Sequence, residues 1–211
     1  AVTQHVRQRY PQAIELLRRA EAAQPADALI QNNLGSALAE MRDMDGAIAA
    51  FRRATELAPE IPTSWFNLGK AYEATLRHDD AEAAYARAIA VDPDGFPAYE
   101  QRGKALRAMG RIDEAAAQFR RAIELAPTSA EAWAGLAGLD ASKLDDGDVA
   151  RIAALYARRD LTTSSHCLFG LAYALALEAR GRYREAFDTT LAVHAIRRRQ
   201  QGYLSVSRAV A

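Results

Sequence analysis

Apolar residues in the segment 62–95 follow a helical spacing in two separate blocks. The first block places four residues on one stripe of a helix, namely Trp65, Leu68, Gly69 and Tyr72. The second block does the same with Ala81, Tyr85 and Ala88, whose two alanines are small enough to let helices approach closely. Pro93 then blocks further helix. The pattern predicts a hairpin of two antiparallel helices.

The same pattern recurs along the chain with a fixed offset of 34 residues. Prolines occur at Pro25, Pro59, Pro93 and Pro127. Two columns of alanines follow the same offset, namely Ala13, Ala47, Ala81 and Ala115, and Ala20, Ala54, Ala88 and Ala122. A column of large apolar residues lies between them at Leu17, Phe51, Tyr85 and Phe119. A fixed period in this range is typical of solenoids that stack helical hairpins.

These columns resemble the tetratricopeptide repeat (TPR) family, whose pattern is a large apolar residue, Leu-Gly and Tyr, followed by Ala, Phe, Ala and Pro. The resemblance covers about 200 residues and is strongest for residues 28–129. It implies an all-α, right-handed TPR solenoid of antiparallel helix pairs. No second domain is needed, because six helical pairs account for nearly all of the 211 residues.

The repeat columns predict the following division of the chain. Residues 1–27 form a partial N-terminal repeat, in which Pro11 occupies the first turn of the second helix. Three full repeats follow at 28–61, 62–95 and 96–129, then a degenerate repeat at 130–166, a TPR-like helix pair at 167–200, and an extension or linker at 201–211. Thr128 and Glu131 are predicted to form a capping box. A longer connection is expected at 161–165.

The second half of the chain also resembles the repeat region that precedes the sulfotransferase domain in certain bacterial proteins. The residues that carry this resemblance lie in the segments 148–155, 168–178, 181–187 and 194–198. A sulfotransferase would need a phosphosulfate-binding loop at a strand-to-helix turn, and the given chain contains none. The resemblance offers an alternative interpretation, in which the chain is the recognition region of such an enzyme and the catalytic domain lies downstream.

Composition narrows the function classes. Basic and acidic residues are equal in number, at 27 each, which argues against a protein that mainly binds nucleic acid. The single cysteine, Cys167, excludes an internal disulfide and is compatible with a reducing compartment. No apolar run approaches 18 residues, so no membrane span is predicted. We therefore expect a cytoplasmic protein; the start at Ala1 leaves a removed N-terminal segment open.

Chemical motifs are sparse. The histidines His5, His78, His166 and His194 are dispersed, without the spacing of metal ligands. Cys167 is expected to be a structural cysteine, and the acidic segment 140–148 a solvated turn with an N-cap rather than a calcium loop. The sequence shows no catalytic triad, phosphate loop or paired carboxylates. We predict a chain without metal, cofactor or catalytic activity of its own.

The family resemblance directs attention to the first helix of each repeat, which lines the inner groove. In the family, an asparagine at the sixth repeat position often holds the backbone of an extended peptide. Here that column reads Asn33, Asn67 and Gln101. A side-chain amide offers both a donor and an acceptor and can satisfy a peptide unit. Three residues further along lie Ser36, Lys70 and Lys104, with Glu73 and Arg107 nearby.

The resulting hypothesis is a non-catalytic scaffold that binds an extended peptide or a partner helix through Asn33, Asn67, Gln101, Lys70, Lys104 and Arg107. One subgroup of the family grips a terminal carboxylate with lysine, asparagine and arginine residues at fixed inner positions. This chain has Asn32, Pro97 and Gln101 where that subgroup has lysine or arginine, so we do not expect a carboxylate clamp. A column of arginines with the same period is interpreted as part of a solvated outer face, and its members are Arg19, Arg53, Arg87 and Arg121. Ion pairs that stabilise the helices are expected on this surface between Arg52 and Glu56 and between Arg120 and Glu124. The oligomeric state and the ligand stay open.

Overall fold

The computed structural model describes the backbone of residues 2–209 and the side chains of residues 10–199. Within this described part, all regular secondary structure is helical. The chain divides into two compact units, Ala1–Arg111 and Ile112–Ala211. The boundary lies inside the predicted repeat 96–129. The predicted all-α architecture of antiparallel helix pairs is confirmed.

The first unit contains the helices α1 (Val2–Ala23), α2 (Ala28–Glu40), α3 (Met44–Leu57), α4 (Pro62–Ala74), α5 (His78–Val91) and α6 (Phe96–Ala108). The second contains α7 (Ile112–Leu125), α8 (Ala130–Asp140), a 3-10 turn (Ala141–Lys143), α9 (Asp146–Tyr156), α10 (Thr163–Glu178) and α11 (Tyr183–Ala209). The helix pairs α2 with α3, α4 with α5, and α10 with α11 pack side by side as hairpins. We refer to α2, α4, α6, α8 and α10 as first helices.

Between residues 47 and 122, both alanine columns are buried. Ala47, Ala81 and Ala115 have no exposed surface. The aromatic column lies against small residues of first helices, because Phe51 covers Gly35, and Tyr85 covers Gly69. Any side chain at these glycines would overlap the ring, which explains why the repeat pattern has glycine there.

One hydrogen bond repeats with the period of the sequence. The indole nitrogen of Trp65 donates to the carbonyl of Pro59 at 2.9 Å. The Tyr99 hydroxyl donates to the Pro93 carbonyl at 3.0 Å, and the Trp133 indole to the Pro127 carbonyl at 3.0 Å. Each bond ties the turn between two hairpins to the next first helix.

The turns within the hairpins share a left-handed residue. It occurs at Arg42 (φ 65°), Leu76 (φ 60°), Gly110 (φ 76°) and Gly181 (φ 73°). In each turn this residue and the next one donate backbone hydrogen bonds to the end of the preceding helix, as when Leu76 and Arg77 donate to Glu73 and Tyr72. Gly181 is therefore the structural equivalent of Gly110 and Leu76, although it lies outside the 34-residue register.

Three local predictions are wrong. Pro11 lies inside the continuous helix α1, rather than in a first turn. The cap of α8 is Ser129, whose hydroxyl accepts from the Ala132 N–H, so Thr128 and Glu131 do not form the capping box. The long connection is residues 157–162, because Thr162 already caps α10.

The predicted arginine pairs are also shifted. Arg53 binds Glu56, and Arg121 binds Glu124, so the pairs are three residues apart rather than four. Arg120 instead binds the buried carboxylate of Asp148 on α9, at 2.6 Å. Asp148 is also part of the capping box that begins α9, together with Asp145. The acidic segment is therefore a helix start, held by an ion pair within the second unit.

Candidate functional site

The first helices of the first unit lie next to one another, because α4 contacts both α2 and α6. Two cavities open between them. The first has a volume of about 380 Å³ and includes Ser36, Glu40, Asn67, Lys70 and Ala74 in its lining. The second has a volume of about 320 Å³ and is lined by Phe66, Lys70, Glu73, Ala74 and Gln101. We call this continuous surface the first-helix groove.

An amide pair links α2 to the first-helix groove through Asn67, which lines the first cavity. The side-chain N–H of Asn67 donates to the side-chain oxygen of Asn32 at 3.1 Å, and both residues are half-buried. Each amide group can take part in several hydrogen bonds, and this contact uses one donor of Asn67 and one acceptor position of Asn32. The pair can therefore present a remaining donor and acceptor in a fixed orientation, which suits a peptide unit.

Charged groups line the second cavity. The Lys70 ammonium lies 6.0 Å from the centre of the Phe66 ring, and this lysine also borders the first cavity. The Glu73 carboxylate accepts from the hydroxyl of the buried Tyr85 at 3.0 Å. Burial, followed by the charge of Glu73, raises the pKa of Tyr85 well above its ordinary value. The hydrogen bond orients Glu73, so the groove has an acid held by Tyr85 and a base beside the Phe66 ring.

The structure brings together three of the six predicted site residues. Asn67, Lys70 and Gln101 all line the first-helix groove. Asn33 is exposed and is not among the lining residues, and neither are Lys104 and Arg107. The binding role of all six residues stays a prediction.

Two residues that line or contact the first-helix groove were not included in the predicted site. Asn32 belongs to the column next to the amide column, and only the packing of α2 on α4 shows that it contacts Asn67. Phe66 is the other, since it lies between Trp65 and Asn67 on a helix where consecutive residues face different directions. The sequence feature that could have identified Phe66 as a groove residue is that it is an aromatic residue outside the repeat columns.

Other candidate chemistry has a structural explanation. Cys167 is buried in α10, and the His166 ring packs on Tyr156 with a centroid distance of 4.7 Å. Among the described residues, no group of three or more potential ligands could hold a metal ion. None of the described helices combines the length and apolar character needed to cross a membrane.

The helix pairs, their fixed period and the first-helix groove define a helical-hairpin repeat protein. Sequence models described as tetratricopeptide repeat match residues 6–62, 37–96 and 96–139, which together span more than half of the chain. The chain belongs to the tetratricopeptide repeat family. None of the curated proteins matches it significantly.

Solved structures show the same fold. YrrB, described as a TPR protein with an unusual peptide-binding site, has a TM-score of 0.69 at 17% identity and covers 92% of this chain and 99% of its own. The first TPR of Spaghetti (RPAP3), bound to the HSP90 peptide SRMEEVD, has a TM-score of 0.52 at 27% identity, covering 53% of this chain and 89% of its own. The Arabidopsis OM64 TPR domain has a TM-score of 0.52 at 26% identity, covering 54% and 93%.

Proposed function

We propose that the chain is a non-catalytic interaction scaffold that holds an extended peptide, or a partner's helix, in the first-helix groove. The observation that carries this proposal is the amide pair of Asn32 and Asn67, in which Asn67 lines the first cavity together with Lys70. The RPAP3 relative, which is solved with a bound peptide, supports the same class of function for this chain.

The chemistry of the groove favours a backbone-directed mode of binding. The amide pair can hydrogen-bond one peptide unit without selecting its side chain. Selectivity would come from the second cavity, where the Phe66 ring offers an apolar wall and Lys70 a positive charge. A ligand that places an apolar residue next to an acidic one fits this combination.

The groove differs from a carboxylate clamp. A terminal carboxylate needs several cationic donors that converge on it, and Asn32 and Gln101 supply amides instead. We therefore expect the peptide SRMEEVD, which is bound in the RPAP3 structure, to bind this chain weakly. Internal peptide segments are the better candidates.

The test is a peptide-display screen with the whole chain, followed by titration of the selected peptides. Asn67→Ala should weaken binding by about 1–3 kcal/mol, because it leaves a buried peptide group without its partner. The helix stays intact, since alanine is a good helix former. Lys70→Ala should mainly weaken the binding of acidic peptides, and mainly at low salt.

Two matched controls separate the groove from other surfaces. Asn33→Ala removes an exposed amide from the same helix as Asn32, and it distinguishes the predicted amide column from the observed amide pair. Arg53→Ala removes an exposed cation that binds Glu56 on α3. Loss of binding in Arg53→Ala, together with full binding in Asn67→Ala, would place the site on the arginine column and refute the groove.

A second proposal goes beyond the family assignment, namely that the chain is the recognition region of a sulfotransferase. It rests on the sequence resemblance of the segments 148–155, 168–178, 181–187 and 194–198 alone. Reading the gene downstream of residue 211 tests it, because a phosphosulfate-binding loop there would support the hypothesis and a stop codon would exclude it.

A further inference from the structure

The last hairpin of the second unit has an exposed apolar face. A cavity of about 430 Å³ opens between α10 and α11, and its lining includes Leu171, Leu175, Glu178, Tyr183 and Phe187. Tyr183 and Phe187 are 68% and 62% exposed, and Leu175 is 38% exposed. We call this surface the terminal hairpin face. A contiguous exposed apolar patch of this kind is typical of an interaction site.

The turn geometry aligns this hairpin with an earlier one. Gly181 donates its N–H to the carbonyl of Glu178 and has a positive φ, and Leu76 does the same with Glu73. The residues that follow are Arg182 and Arg77, and each accepts a backbone hydrogen bond from the alanine four positions later. Ala186 and Ala81 are therefore equivalent. Phe187 is therefore the equivalent of Glu82 on α5, and each of the two follows a buried alanine.

In the first unit, the equivalent face is covered by the next first helix. The carboxylate of Glu82 on α5 binds the guanidinium of Arg102 on α6, at 2.6 Å. One repeat earlier, the equivalent residues are Ile48 on α3 and Leu68 on α4, and both belong to the same buried apolar cluster. An acidic residue at this hairpin position is thus matched by a basic one, and an apolar residue by an apolar one.

We propose that the terminal hairpin face binds one amphipathic helix of a partner protein, in the place that the next first helix takes elsewhere in the chain. The large apolar side chain of Phe187 requires an aliphatic residue on the partner helix, at the position of Leu68 in α4. Glu178 is exposed at the rim, and no described side chain pairs with it. A basic residue at the edge of the partner helix complements it.

Continuity with the internal interfaces favours a helix as the occupant. Within each unit, first helices pack on a preceding hairpin or helix, as α4 packs on α3, α6 on α5 and α8 on α7. The terminal hairpin face has the same register and a more apolar surface, with Phe187 and Leu191 in place of Glu82 and Ala86. Burial of these side chains provides the driving force.

The chain itself supplies two matched probes. One is a stapled helical peptide of residues 62–75, which carries Leu68, and the other is a stapled peptide of residues 96–109, which carries Arg102. Stapling is needed because isolated helices of this length are marginal in water. Labelled peptides are titrated against the whole chain by fluorescence anisotropy.

The wild-type chain should bind the Leu68 peptide at least tenfold more tightly than the Arg102 peptide. Phe187→Glu recreates the side chain of Glu82, so it should reverse this order of preference. Leu29→Glu changes a similarly exposed residue, 63% exposed, in the first unit and should leave both affinities unchanged. Phe187 is mostly exposed, and circular dichroism checks that the variant is folded.

Four results would overturn the proposal. These are binding of neither peptide to the wild-type chain, equal binding of both, unchanged preference in Phe187→Glu, and a wild-type dimer in sedimentation that Phe187→Glu converts to a monomer. The last result would assign the terminal hairpin face to a second copy of the chain. Full reversal of preference supports a partner helix.

Discussion

Replacement of Gly69 by alanine tests the helix packing at its tightest point. A β-carbon at this position would lie 2.6 Å from Cε1 and 2.7 Å from Cδ1 of Tyr85. Carbon atoms in contact prefer about 3.5–4.0 Å, so the ring would have to move by about 1 Å. Tyr85 has no exposed surface, and Glu73 holds its hydroxyl, so the ring has little room to move.

Two opposing effects determine the magnitude for Gly69→Ala. Alanine is the better helix former and contributes about 1 kcal/mol. Overpacking of a buried contact costs about 1–3 kcal/mol, and the rigid position of the Tyr85 ring favours the upper part of that range. We expect a net loss of about 1–2 kcal/mol in the free energy of unfolding. Urea denaturation, followed by the fluorescence of Trp65 in the same unit, measures it.

A double-mutant cycle isolates the contact. In a Tyr85→Leu background the ring atoms are gone, so Gly69→Ala should be neutral or stabilising there. The coupling energy between the two positions should then be at least about 1 kcal/mol. If Gly69→Ala stabilises the parent chain by the amount typical of an exposed helical glycine, the tight packing of α4 on α5 is refuted.

Three further predictions concern the same unit. Ala81→Leu places a large side chain where no surface is exposed and should lower the free energy of unfolding by about 1–3 kcal/mol; an unchanged urea midpoint would contradict the packing register. Leu76→Gly should raise the free energy of unfolding by roughly 0.5–1 kcal/mol, because Leu76 has φ 60° and is 76% exposed, so backbone strain is relieved and little burial is lost. A lower urea midpoint would show that the leucine side chain contributes more stability than its strained backbone costs. The raised pKa of Tyr85 means that its neutral form stabilises the fold below pH 10 and that this contribution is lost as pH rises further. The absorbance change from tyrosine ionisation near pH 10 should therefore be the same in the folded parent chain and in Tyr85→Phe. One more tyrosine ionising near pH 10 in the parent chain would contradict the burial of Tyr85.

Local and periodic features were predictable from the sequence. The proline and alanine columns lie at fixed offsets, so they located the hairpins from α2 to α5 without knowledge of tertiary contacts. The left-handed turn position was harder to recognise, because it is occupied by Arg42 and Leu76 as well as by glycine. Non-glycine residues rarely adopt that conformation, so composition did not mark the position.

The candidate site was only partly predictable. The repeat columns led to Asn67, Lys70 and Gln101, since all three lie on first helices with the repeat spacing. The bond between Asn32 and Asn67 joins residues 35 positions apart, one more than the period. A repeat alignment relates equivalent positions but does not show which neighbouring columns touch. The pairing depends on the rotation and separation of adjacent helices.

The repeated indole and phenol bonds to the inter-hairpin carbonyls also provide a spectroscopic tool. The chain has two tryptophans, one in each compact unit, and both donate to an equivalent proline carbonyl. Trp133 is 1% exposed and Trp65 is half-buried, so iodide should quench the emission of Trp65 much more strongly. Tyr99 shows that tyrosine can serve as the same donor. Trp65→Tyr and Trp133→Tyr variants thus give an unfolding signal from one unit at a time, without added dyes.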